Sequence, residues 1–158
     1  MPTHRITYTE HPTPAGLDPA DRELLNQARA ALEHAYAPYS EFRVGAAARL
    51  ADGTVVTGWN TENAAYPMCL CAEPAALAAA AHQRPGTPVV ALAVTVRAPR
   101  QTVDRPATPC GSCRQQLAEH ESRFGTPIRL VLRGQTGPVW VFAAASELLP
   151  FGFSSEHL

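Results

Sequence analysis

The chain has 158 residues, and its 13 basic against 14 acidic side chains leave a net charge of −1. That length suits one domain with a single core, and a pI near 6.6 offers no electrostatic footprint for gripping a nucleic-acid backbone. Every basic residue is arginine, so lysine Schiff-base chemistry and a P-loop are both excluded.

Residues 1–18 are polar and proline-rich without periodicity and read as a flexible N-terminal arm, mobile or draped on a partner. They contain no apolar run of the secretory kind, and the longest apolar stretch, near residues 89–96, is too short to span a bilayer. Residues 19–158 read as a single domain. An amphipathic helix starts at Asp18 or Asp21, places Leu24, Leu25, Ala28, Ala31, Leu32 and Ala35 on one face, and is stopped by Pro38. Residues 44–50 and 55–58 are strands joined by a turn at Ala51-Asp52-Gly53. Residues 60–70 form an irregular, substrate-facing loop. A second helix runs from Cys71 through the alanine-rich stretch to about His82, with Pro74 tolerated in its first turn. The continuous apolar run 89–96 is a strand buried on both faces. A third helix covers residues 111–123, strands follow at 128–132 and 139–143, and 147–158 is a tail. This order predicts an α/β fold, a three-layer α/β/α sandwich around one mixed five-stranded sheet.

The chemistry lies in Cys71-Ala72-Glu73 and Pro109-Cys110-Gly111-Ser112-Cys113. A closed structural zinc site uses four protein ligands, whereas a hydrolytic site uses three and leaves a position for water. Here Cys71, Cys110 and Cys113 supply three thiolates at helix starts, where the helix dipole favours anions. Glu73, two residues beyond the first thiol, is placed to move protons; a plain helix-start glutamate is its structural alternative. A thioredoxin-type redox pair at Cys110 and Cys113 would not need the distant Cys-x-Glu. Cys69 as a fourth ligand would close the site, and it reads instead as a buried small hydrophobe. The six histidines fall in no motif and read as exposed or incidental. With no export signal the thiols are expected to stay reduced, which points to the cytoplasm.

At this point the chain resembles the cytidine deaminases of the small, homotetrameric, Cys₃-zinc type. The likeness rests on Ala37-Pro38-Tyr39-Ser40-x-Phe42-x-Val44-Gly45-Ala46-Ala47, on Gly58-x-Asn60-x-Glu62-Asn63-Ala64-x-Tyr66-Pro67, and on the two cysteine blocks, the second continuing into Arg114-Gln115. It is completed by Glu147-Leu148-Leu149-Pro150-x-x-Phe153. The resemblance implies one zinc on Cys71, Cys110 and Cys113, with Glu73 as proton shuttle. It implies that Asn60 and Glu62 bind the ribose 3′-hydroxyl, that Phe42 stacks on the pyrimidine, and that Ala72 offers a backbone contact to the base. Phe153 would reach the base from a neighbouring subunit, and Tyr66 would line a shared subunit face. The implied reaction is hydrolysis of cytidine and 2′-deoxycytidine to the uridines with release of ammonia, in pyrimidine salvage. The implied partners are a small nucleoside and copies of the same chain, not a polynucleotide or a membrane. The rival is a deaminase of another aminopyrimidine nucleoside such as blasticidin S, against which the ribose-reading pair Asn60 and Glu62 argues. There are departures. Pro74 stands where Cys₃ members commonly carry arginine, with Arg114 expected to supply the missing positive charge. Trp59 and Thr61 replace smaller or apolar residues beside Asn60.

Overall fold

The computed structural model describes the backbone of residues 1–158 and every side chain except that of Glu156. Six strands, β1 (Thr9–His11), β2 (Arg43–Leu50), β3 (Val55–Trp59), β4 (Val89–Arg97), β5 (Arg129–Arg133) and β6 (Val139–Phe142), form one sheet in the order β1-β6-β5-β4-β2-β3. The helices are α1 (Pro19–Ala31), α2 (Ala72–Gln83) and α3 (Gly111–Phe124). Only β4 and β5 pair in parallel, and α3 lies in the crossover that a parallel pair requires.

Side-chain alternation divides the sheet into two faces. Ala46, Ala48, Leu92, Val94, Leu130 and Leu132 bury themselves with Ala72, Ala76 and Ala80 of α2 and Leu117 of α3. The intervening Ala47, Ala91, Ala93 and Val131 pack with Leu24, Leu25 and Ala28 of α1. With both faces covered, the molecule is the expected three-layer sandwich. Two glycines allow the layers to close. A Cβ on Gly45 would lie 2.1 Å from the carbonyl oxygen of Ala28 in α1, and one on Gly58 would lie 2.4 Å from the backbone nitrogen of Ala76 in α2.

Three expectations need correction. The sheet has six strands rather than five, because β1 adds to the edge along β6, with Glu10 opposite Trp140. Part of the N-terminal stretch is therefore docked rather than free: Tyr8 packs on Trp140 and Phe142, Trp140 Nε1 donates to Glu10 at 2.7 Å, and Leu17 is buried. A three-residue polar edge strand carries no alternation by which to find it. Third, α1 ends at Ala31 and passes through a 3₁₀ turn, Leu32–His34, well before Pro38. The chain is drawn out there by a bridge, Tyr36 N–H donating to the Asn60 carbonyl and Glu62 N–H to that of Tyr36.

At the start of α1 the two aspartates separate in role. Asp18 is the N-cap and accepts from the Asp21 N–H at 2.9 Å, whereas Asp21 is buried and takes Arg129 Nε at 2.7 Å. That ion pair ties the helix to the beginning of β5.

Candidate active site

Cys71 is the N-cap of α2, Cys110 is the N-cap of α3, and Cys113 lies in the first turn of α3. Neither N-cap thiol takes a capping hydrogen bond from its own helix, so the positive helix starts favour thiolates there through charge rather than through capping. The three sulfurs lie within 4.8 Å of one another, Cys110 and Cys113 being 3.4 Å apart. Tetrahedral zinc with Zn–S bonds of about 2.3 Å places its sulfurs about 3.8 Å apart. A soft three-thiol set at this spacing fits such an ion and leaves a fourth corner free. Cys113 is buried, while Cys71 and Cys110 face outward.

The thiols and Glu73 form one electrostatic unit. A hydrogen bond from Cys113 stabilises the Cys71 thiolate and brings its pKa down to about 7, against the opposing pull of burial and of Glu73. The same hydrogen bond, with burial and the neighbouring charges, pushes Cys113 upward. Glu73 is 5% exposed. Burial holds its carboxyl above the usual range, opposed by its own backbone N–H and by Cys113. A carboxyl so placed holds a proton more readily than a solvated one.

Asn60 and Glu62 lie on the loop after β3, and both are anchored. The Asn60 amide accepts from Val44 N–H at 2.8 Å and donates to the Phe42 carbonyl at 2.9 Å. The Glu62 carboxylate accepts from the backbone N–H of Tyr39 at 2.8 Å, from that of Ser40 at 3.2 Å, and from the Ser40 hydroxyl. These bonds, led by that hydroxyl, hold Glu62 below the usual carboxylate range. Ser40, which sequence reasoning gave no role of its own, is thus the partner that fixes Glu62. Tyr39, Ser40, Glu62, Tyr66 and Cys69 line a cavity of about 220 Å³. Ala72 is fully buried at the first position of α2, Phe42 is half-buried just before β2, and Tyr66 is exposed. Phe153 is exposed in the C-terminal segment and held to α3 by Gln115 Nε2, which donates to its carbonyl at 2.8 Å.

Cys69 differs from expectation. It is exposed rather than buried, and its sulfur accepts from the Asn63 N–H at 3.2 Å, turned into its own loop and outside the three-sulfur cluster. Arg114 also has work the sequence did not indicate. Its guanidinium donates to the Pro109 carbonyl at 2.7 Å, the Leu148 carbonyl at 3.1 Å and the Thr108 hydroxyl at 3.1 Å, bracing the segment that leads into Cys110. His120, expected to be incidental, accepts from the Val89 N–H at 3.0 Å through Nε2.

Soft donors grouped beside a buried carboxylate on an α/β/α sandwich equip a protein for metal-assisted hydrolysis. The family pattern for the cytidine and deoxycytidylate deaminase zinc-binding region matches residues 19–124. The cytidine deaminase of Halalkalibacterium halodurans is 40% identical over 139 residues, 87% of this chain and 98% of that protein. That of Mycobacterium tuberculosis is 46% identical over 100 residues, 61% of this chain and 68% of its own. The crystal structure of cytidine deaminase from Burkholderia pseudomallei superposes with a TM-score of 0.72 at 42% identity, covering 83% of this chain and 97% of that one. The chain belongs to the cytidine deaminase family of enzymes.

Proposed function

We propose that the chain deaminates cytidine and 2′-deoxycytidine, giving uridine or 2′-deoxyuridine and ammonia, as a zinc enzyme of pyrimidine nucleoside salvage. The observation that carries this reading is the three-sulfur cluster with buried Glu73 beside it. Cys71, Cys110 and Cys113 would hold the ion, which when bound supplies Lewis acidity and a water of near-neutral pKa. Four free thiols suit a reducing cytoplasm. No helix is long and apolar enough to cross a membrane among the described residues.

Glu73 carries the protons. Its carboxylate removes one from the attacking water as oxygen bonds to C4 of the base, and delivers it to ring N3. Glu73 then takes the proton of the new C4 hydroxyl and passes it to the amino nitrogen as the C4–N4 bond breaks, leaving the C4 carbonyl and ammonia, so water is consumed and its elements are shared between the two products. Burial favours the protonated carboxyl and sharpens both transfers. Asn60 and Glu62 would read the ribose 3′-hydroxyl: Asn60 retains one N–H and a lone pair beyond its two backbone bonds, and of the about four lone-pair sites of the Glu62 carboxylate one is left after its three bonds. Phe42 would stack on the pyrimidine, and the backbone at Ala72 would meet its edge. With Pro74 in place of an arginine, the α2 and α3 N-termini are the fixed positive ends nearest the thiolates and offset their charge.

On a single chain Tyr66, Met68 and Leu70 are exposed in the segment that leads into Cys71, and Phe151 and Phe153 are exposed in the C-terminal segment. Such apolar exposure supports burial between subunits, a homotetramer in which Phe153 and Tyr66 complete a neighbour's site. The test is ultraviolet monitoring of cytidine by the wild type and Glu73→Gln, with metal content measured on both. Turnover lost by about 10⁴ with zinc retained is expected; equal turnover in both would reject the mechanism. Cys69→Ser should keep both zinc and activity, and loss of zinc in that variant would make the site a closed structural one.

A further inference from the structure

The α1 side of the sheet carries a second, unassigned concentration of charge. A cavity of about 200 Å³ is lined by Arg29, Glu33, Thr95, Arg97, Arg133 and Gln135. A second, of about 470 Å³, shares Arg97 and Gln135 with it and adds Glu41 and Arg43. Strand alternation explains the convergence: Arg43, Arg97 and Arg133 continue the rows of Ala47, Ala93 and Val131, all of which face α1. The thiols belong with α2 and α3 on the other face. Arg97 and Arg133 end the parallel pair β4 and β5, and a crevice beyond strand carboxyl ends is where open α/β sheets place ligands.

The charges in this cleft do not balance. Arg97 forks onto Glu33 at 2.8 and 3.1 Å, and Glu41 is taken by Arg100 at 3.2 Å. Arg29, Arg43 and Arg133 have no carboxylate partner among the described residues. Arg43 lies directly across the ladder from Arg97, a like-charge pairing that destabilises a sheet. Burial, reinforced by the Arg29 charge, lowers the pKa of the Arg133 guanidinium. A chain of net charge −1 has here grouped arginines where they repel one another. Planar guanidinium forks at such a spot match the oxygens of a phosphate.

We propose that this arginine cleft binds a phosphate group, free or as a phosphate monoester, at a site distinct from the deaminase centre. The smaller cavity takes the phosphate between Arg29 and Arg133, and the adjoining one accommodates an ester's organic part. The inference stands independently of the reaction proposed above, and its test reads binding alone.

The holoenzyme is titrated calorimetrically with inorganic phosphate and with adenosine 5′-monophosphate, in chloride buffer at fixed ionic strength. Saturable binding is expected, weakened about tenfold or more in Arg29→Gln/Arg133→Gln. The Arg29→Lys/Arg133→Lys variant, which keeps charge without the fork, should fall between the two. Unchanged melting curves in these variants report an intact fold. Tighter binding of the monophosphate, lost in the glutamine variant, identifies a monoester site; equal or tighter binding of inorganic phosphate identifies a free-phosphate site. No saturable binding of either probe, or equal binding by wild type and glutamine variant, overturns the proposal.

Discussion

Gly58 sets the position of the helix that carries Cys71 and Glu73, and Gly58→Ala therefore tests how the site is built. The added Cβ would lie 2.4 Å from the Ala76 nitrogen and 2.5 Å from the Ala72 carbonyl oxygen, both backbone atoms that no side-chain rotation can remove. Ordinary contact begins at 3.4 Å, so the start of α2 must retreat from β3 by about 1 Å. Overpacking of that kind costs about 1–3 kcal/mol of stability, a fall in melting temperature of roughly 2–12 °C for a chain this long. Activity should suffer more. A displacement of about 1 Å at a catalytic group can cost 10²-fold, and the retreat moves Cys71 and Glu73, the proposed ligand and proton carrier, away from α3 together. The measurements are kcat/KM on cytidine, zinc content and thermal melting. Gly111→Ala is the control: Gly111 adjoins Cys110, yet an added Cβ meets nothing within 4 Å. It should stay within about threefold of wild type. Wild-type kcat/KM in Gly58→Ala, or an equal loss in Gly111→Ala, would refute the claim that helix-to-sheet approach at Gly58 sets the geometry.

Glu121 is buried and accepts three backbone N–H groups, from Ile128 at 2.6 Å, Ala145 at 2.7 Å and Ser146 at 3.0 Å. Glu121→Gln turns an amide donor toward one of those N–H groups and should lower stability by about 2–3 kcal/mol by chemical denaturation; an unchanged midpoint would show the three bonds to be dispensable. His120 titrates below its ordinary 6.5, chiefly through burial and then through Arg123, with Glu121 opposing. In that window the unfolded chain binds the proton and the native one does not, so the contribution is present above 6.5 and is lost as pH falls toward the native value. Denaturation midpoints between about pH 8 and pH 5 should therefore fall more steeply in wild type than in His120→Gln, which keeps an acceptor for Val89 without a titrating ring. Parallel profiles would show that His120 contributes nothing to acid sensitivity.

What could be read from the chain follows the range of each interaction. The apolar run of β4 and the turn at Ala51-Asp52-Gly53 between β2 and β3 made much of the sheet legible, and the spacing of Cys71, Glu73, Cys110 and Cys113 made the thiol cluster legible, because helix starts are locally encoded. The strand β1 was not, since Thr-Glu-His has no pattern and its docking depends on Tyr8 meeting Trp140 and Phe142 from the far end of the chain. Cys69 looked like a core residue by type, but its sulfur is claimed by Asn63 in a loop that turns outward. His120 read as exposed or incidental and Glu121 carried no local signal, and only the packing of α3 brings Val89, Ile128 and Ala145 to them. The arginine cleft is the extreme case: its members come from α1, β2, β4 and β5, and only strand register unites them.

The tertiary bonds that were hardest to foresee share one element. At its first turn α3 is braced by Arg114 on the Pro109 and Leu148 carbonyls, and at its far end by Glu121 on the segments entering β5 and following β6. Between them Gln115 holds the Phe153 carbonyl. One helix therefore bears two of the three thiols, fixes the loop delivering the first of them, and anchors the aromatic residue proposed to serve a neighbouring site. A rigid helix transmits displacement along its length rather than absorbing it. Loosening the Glu121 end should then be felt at Cys110 and Cys113 as well as at Phe153, so hydrogen bonds at the far end of α3 would govern the alignment of two of the three clustered sulfurs.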